Sequence, residues 1–336
     1  MTVDQRLELR CHCGWFFVTK SLAIWLLVAS TTTAAVSIPR LSLAKNLVLA
    51  GLSDDPSAAS GAAETPAPVA PPQAASLCPA GVTFTRGLKY AGEDRNVLDV
   101  ATAQIKPDAR RPILVFIAGN DFSSERDSTV PDPLVEKVMC FAASNGLVAA
   151  HVFYRLAPAA TWPAGARDVA AAISWVFENA DLFGGNAQEI IPIGYGAGAF
   201  HLATFLSHKE FQDSDDFIAG AALVSGIYEP TKDTDESERA YLGADASTYG
   251  ARSAVHGLTE IEEPLVLAWS SADAPRFVIQ GERLRKTLCD AGHCPRTAVF
   301  GKPSSLASVF DLDGTSANLH ERLRQLIGQL DARGLP

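Results

Sequence analysis

Residues 190–203 read as an apolar strand, a turn with glycine at every second position (Gly194, Gly196, Gly198), and then an apolar helix. A strand that enters a helix through so tight a turn is the repeating unit of a parallel sheet covered by helices. The rest of the chain fits that unit. Residues 112–118, 147–154, 189–193, 217–224 and 264–269 are short apolar runs of strand length. Between them lie helical patterns at 134–145, at 163–183 and at 197–208, with a last one at 318–330. The first helix stops at Asn145 and Gly146; the second opens at Pro163, a position proline tolerates, and ends at Gly184 and Gly185. The expected class is α/β, with a mostly parallel central sheet flanked by helices on both faces.

The ends of the chain have a different character. Residues 21–39 carry no charge and follow Arg6, Arg10 and Lys20, so 1–50 reads as a signal peptide or a signal anchor. Residues 51–77 are mostly Ala, Pro and Ser, too poor in apolar surface to offset ordering entropy, and read as a disordered linker. The folded domain is expected at 78–336, outside the cytoplasm (periplasmic or extracellular), either released or held at the membrane by the N-terminal segment. A formal charge of −10 argues against nucleic acid as a partner.

Cysteine placement agrees with export. Cys289 and Cys294 flank a short glycine-containing loop and are expected to pair locally. Cys140 lies in an apolar helical run, as a buried thiol or as the partner of Cys78. Cys11 and Cys13 are too few to hold a metal, and neither a metal nor a cofactor is expected.

Four segments in order carry a resemblance: residues 154–158, 162–169 and 183–186, then the glycine turn itself. Residues 224–228, 241–243 and 264–268 continue it. Together they resemble the carboxylesterase and lipase branch of the α/β-hydrolases, which includes the hormone-sensitive-lipase-like and formamidase-like esterases. The resemblance runs from about Cys78 to the C-terminus. It implies an α/β-hydrolase fold in which the glycine turn is the nucleophile elbow, G-x-S-x-G.

Against that pattern, the chemistry is degraded. The nucleophile position is Gly196, which keeps the turn and removes the attacking hydroxyl. Asp273 matches the acid that orients the base. The base should follow the last strand, but residues 299–310 contain no histidine, and Ser305 (or Ser304) stands in its place. The family's oxyanion loop corresponds to Gly119, Asn120, Asp121 and Phe122, with Ala197 after the elbow as the further backbone donor. Asp121 is a carboxylate that either opposes a developing oxyanion or turns outward. The cleft is expected to be lined near Phe122, Tyr154 and Tyr195, with His201 a packing residue.

The resemblance, with these positions substituted, therefore implies a catalytically inactive esterase fold that acts by binding a small apolar or ester-like ligand or a protein partner. The alternative is a carboxylic-ester hydrolase using another nucleophile, with Ser123, Ser124, Ser225, Ser270 and Ser271 near strand ends. A dinucleotide fingerprint, Gly194-x-Gly196-x-x-Ala199, is also present, but strands and helices precede it and no acidic residue ends the next strand.

Overall fold

The computed structural model describes residues 78–104, 110–119, 121–123, 133–212 and 218–301. The expected N-terminal segment and linker, Asn120, Ser124, Ser304, Ser305 and the expected final helix lie outside the described residues.

Eight strands form one sheet in the order β1-β2-β4-β3-β5-β6-β7-β8. They are β1 (Val82–Lys89), β2 (Val97–Ala103), β3 (Arg111–Ile117), β4 (Val148–Phe153), β5 (Gly185–Tyr195), β6 (Ala221–Val224), β7 (Leu265–Ser270) and β8 (Arg296–Phe300). From β4 across to β8 every neighbouring pair is parallel, and β2 is antiparallel to both β1 and β4. The expected strands agree with the observed ones to within a few residues, with two differences. β5 begins at Gly185, earlier than the expected 189, because Arg111 pairs with Gly185 before the register shifts and resumes at Ile113 and Ile190. β6 is shorter than expected and starts at Ala221, with Ile218 joined to Ile190 only by an isolated bridge.

Alternation along the strands sorts side chains to two faces. Ile113, Val115 and Ile117 point to one face with Val148, Ala150 and Val152; Leu114 and Phe116 point to the other with Ile191 and Ile193. The helices α2 (Ala164–Asn179), α3 (Ala197–Ser207) and α6 (Pro275–Asp290) cover the first face. The second is covered, among the described residues, by α1 (Pro133–Ser144) through Val135, Val138, Met139 and Ala142. Two short helices, α4 (Glu236–Leu242) and α5 (Val255–Leu258), lie between β6 and β7.

Both cysteine pairs are bridged. Cys289 bonds Cys294 across the turn after α6, and Cys140 is not a free thiol but bonds Cys78, tying the start of the domain to α1.

Candidate active site

The elbow forms where the glycine pattern puts it. Gly196 sits between β5 and α3 with φ 59° and ψ −121°, a region closed to most L-residues except under strain. Its neighbours are glycines for another reason, close packing. A Cβ on Gly194 would lie 2.6 Å from the Ala199 Cα, and one on Gly198 would overlap the carbonyl oxygen of Ile117. The Gly196 N–H donates to the Val224 carbonyl of β6 at 3.0 Å, which fixes the turn against the next strand.

Asp273 follows β7 at the same, C-terminal edge of the sheet. Its Oδ2 accepts from the Ser225 hydroxyl at 2.8 Å and from the Ser270 N–H at 3.0 Å. Ser225 follows β6, so it stands between the elbow and the acid. It is the one non-glycine residue with positive φ (48°) among the described residues. Sequence reading placed Ser225 only among several strand-end serines; its strained backbone and its carboxylate partner become visible with the fold.

The oxyanion loop is turned inward. The Ala197 N–H, expected as a donor to substrate, instead donates to the Gly119 carbonyl at 2.9 Å. Gly119 is itself pinned, since a Cβ there would overlap the Tyr154 hydroxyl. Asp121 accepts from the Ser123 N–H at 2.9 Å through Oδ1, and Asp121 and Phe122 both line a cavity against Gly196 and Ala197.

That cavity measures about 20 Å³, room for roughly one water. Its other walls are Ile227, Asp235, Ser237 and Glu238 beside or on α4, and Arg276 and Phe277 on α6. Of the three aromatic residues expected in the cleft, Phe122 is there. Tyr154 and Tyr195 are instead buried in the core, on opposite faces of the sheet. Each continues the alternation of its strand: Tyr154 follows Val148, Ala150 and Val152, and Tyr195 follows Ile191 and Ile193.

His201 is fully buried on α3, and neither ring nitrogen has a hydrogen-bond partner among the described residues. The rings of Tyr154 and Tyr241 approach it at 4.4 and 4.9 Å between centroids, and Phe122 at 5.4 Å. Burial pushes its pKa down to about 3, so the imidazole is neutral. It packs among these rings, and among the described residues none orients it toward Gly196 as a base.

A six-strand parallel run with an antiparallel second strand, a glycine elbow after β5 and an acid after β7 decide the architecture. The fold is that of the α/β-hydrolases. The BD-FAE family matches residues 98–253 of this chain, from β2 past the elbow. Esterase LipQ of Mycobacterium tuberculosis is 28% identical over 265 residues, which cover 72% of this chain and 61% of LipQ. Esterase LipC of the same organism is 30% identical over 143 residues, covering 42% of this chain and 34% of LipC. The chain thus spans about three fifths of the first of these curated relatives and about a third of the second. Among solved structures, esterase B from Lactobacillus rhamnosis superposes with a TM-score of 0.62 at 17% identity, covering 76% of this chain and 90% of that one. The chain is thus similar in sequence to esterases and shares the α/β-hydrolase fold.

Proposed function

We propose that this chain is an exported protein of α/β-hydrolase fold that has lost hydrolysis and works by binding either a small apolar or ester-like ligand or a protein partner. The observation that carries this reading is Gly196. The elbow backbone is intact, and the residue at its apex has no atom with which to attack a carbonyl. Two further features support it. Ser305, in the base slot, cannot take a proton near neutral pH. The Ala197 N–H is satisfied by Gly119 rather than held open for an oxyanion. Loss of the serine in a comparable triad lowers turnover by about 10⁶-fold. The esterase names of LipQ and LipC favour an ester-like ligand. Two disulfides are compatible with export. No helix among the described residues is long and apolar enough to cross a membrane.

One observation favours a second reading, in which hydrolysis persists through another nucleophile. Ser225 combines a positive φ with a hydroxyl 2.8 Å from a carboxylate. A carboxylate is a weak base toward a serine hydroxyl, and Ser225 is buried, so the binding reading is preferred.

Restoration tests the assignment. Gly196→Ser combined with Ser305→His is expected to gain measurable hydrolysis of short-acyl nitrophenyl esters over the native chain. A double variant that folds and stays inert weakens the placement of nucleophile and base at these two positions.

A further inference from the structure

The two disulfides stand in different surroundings. Cys140 is 3% exposed, on α1 beside the core residue Met139, and its bond to Cys78 spans a sequence separation of 62. The second bond lies nearer the surface. Cys289 is half-buried in the last turn of α6, and Cys294 is exposed just before β8. Thiol–disulfide exchange requires that a thiolate reach a sulfur, and exposed bridges are the labile ones.

The turn that carries the exposed bond is also built without it. The Ala291 N–H donates to the Thr287 carbonyl at 3.0 Å, the Gly292 N–H to the Cys289 carbonyl at 3.1 Å, and the His293 N–H to the Leu288 carbonyl at 2.8 Å. Gly292, with φ 87°, supplies the left-handed residue that closes such a helix end. On either side of the two cysteines Leu288 and Pro295 are buried, and Arg296 is in register with Val266 of β7. Backbone and core thus hold positions 289 and 294 together whether or not sulfur joins them. With a sequence separation of only 5, this bridge is also the smaller contributor to stability by chain entropy.

We infer that Cys289–Cys294 is a site of reversible thiol–disulfide exchange with a dithiol reductant, that Cys294 is the sulfur attacked, and that Cys78–Cys140 holds the fold throughout. The reductant's thiolate attacks Cys294 Sγ; the bond to Cys289 breaks, and Cys289 leaves as a thiolate that takes up a proton. The reductant's second thiolate then attacks its own sulfur in the mixed disulfide, which releases Cys294 as a thiolate and closes the reductant's disulfide. Two electrons and two protons pass from the dithiol to the two cysteines. A disulfide oxidant runs the same steps backwards. This goes beyond the binding reading and does not depend on it, since neither cysteine lines the cavity beside Gly196.

The test exposes the native full chain to rising dithiothreitol, traps free thiols with excess N-ethylmaleimide in denaturant, and reads each cysteine by peptide mass. Cys289 and Cys294 are expected to open together at about tenfold lower dithiothreitol than Cys78 and Cys140, because access limits the buried pair. Near-UV circular dichroism should be unchanged at that stage, and removal of the reductant should restore the bond. Single substitutions identify the attacked sulfur. The Cys294 thiol left by Cys289→Ser should form a mixed disulfide with glutathione disulfide about fivefold faster than the Cys289 thiol left by Cys294→Ser, following exposure. Opening of both bridges at the same dithiothreitol concentration, loss of the near-UV signal with the first bridge, or equal rates for the two variants overturns the proposal.

Discussion

A Cβ at Gly198 would run into the backbone of β3 at Ile117, whereas Gly196 is glycine because of its φ of 59°. The two demands differ in cost. Gly198→Ala is expected to destabilise by about 1–3 kcal/mol through overpacking, and Gly196→Ser by about 1 kcal/mol through backbone strain. Urea denaturation distinguishes them, and a larger loss at Gly196 contradicts this account. His201 allows a second prediction at this scale. Its folded pKa, about 3, lies below the ordinary 6.5, so the unfolded chain binds the extra proton between those values. Stability is therefore fully present above about pH 6.5 and falls as pH drops toward 3, by up to about 1.4 kcal/mol per pH unit for this residue. His201→Leu should flatten the part of the pH dependence that His201 contributes, leaving that of His151, which burial also lowers to about 3. An unchanged slope between pH 5 and 7 would refute the neutral, buried imidazole. Gly196 and Asp273 were legible in sequence because spacing around a strand end is local information. Tyr154 and Tyr195 were misassigned to the cleft although the period-two alternation of their own strands already pointed them into the core.

The strands of the central sheet announce themselves as apolar runs because both faces are covered. The helices that line the small cavity beside Gly196 are less visible. In α6 the residues buried are Gly281, Leu284 and Leu288, and the rest is largely polar, so its pattern is diluted. The α4 helix spans Glu236–Leu242, too short for periodicity, yet Asp235 and Glu238 form a capping box whose spacing was readable. What no sequence rule supplies is that Arg276 on α6 pairs with Asp235 and Glu238 at the start of α4, at 2.8 and 2.7 Å. The anchoring of α4 is testable by itself. Tyr241→Phe strands the buried Gly165 N–H and is expected to cost about 1–3 kcal/mol, measured by thermal or urea denaturation. A neutral substitution would mean that this hydrogen bond does not anchor α4.

At the scale of the molecule, the sheet order places the elbow, Ser225 and Asp273 on adjacent strands at one edge, and the Cys78–Cys140 bridge fastens the first strands to α1. This bridge closes a long loop, with a sequence separation of 62, against 5 for Cys289–Cys294. Cys78→Ala with Cys140→Ala is expected to lower stability by about 2–4 kcal/mol, and by more than removal of the shorter bridge. Comparable losses from both would contradict a chain-entropy origin. The order of motifs made the α/β-hydrolase fold readable before any coordinates, whereas the inward Gly119 carbonyl and the small cavity beside Gly196 depend on how distant segments meet. The central claim is that this elbow performs no hydrolysis. Its most direct test exposes the native chain to a short-acyl nitrophenyl ester and to a fluorophosphonate serine probe, and locates any adduct by peptide mass. No turnover and no labelled serine is the predicted result; turnover with a single labelled serine, Ser225 before any other, would contradict it.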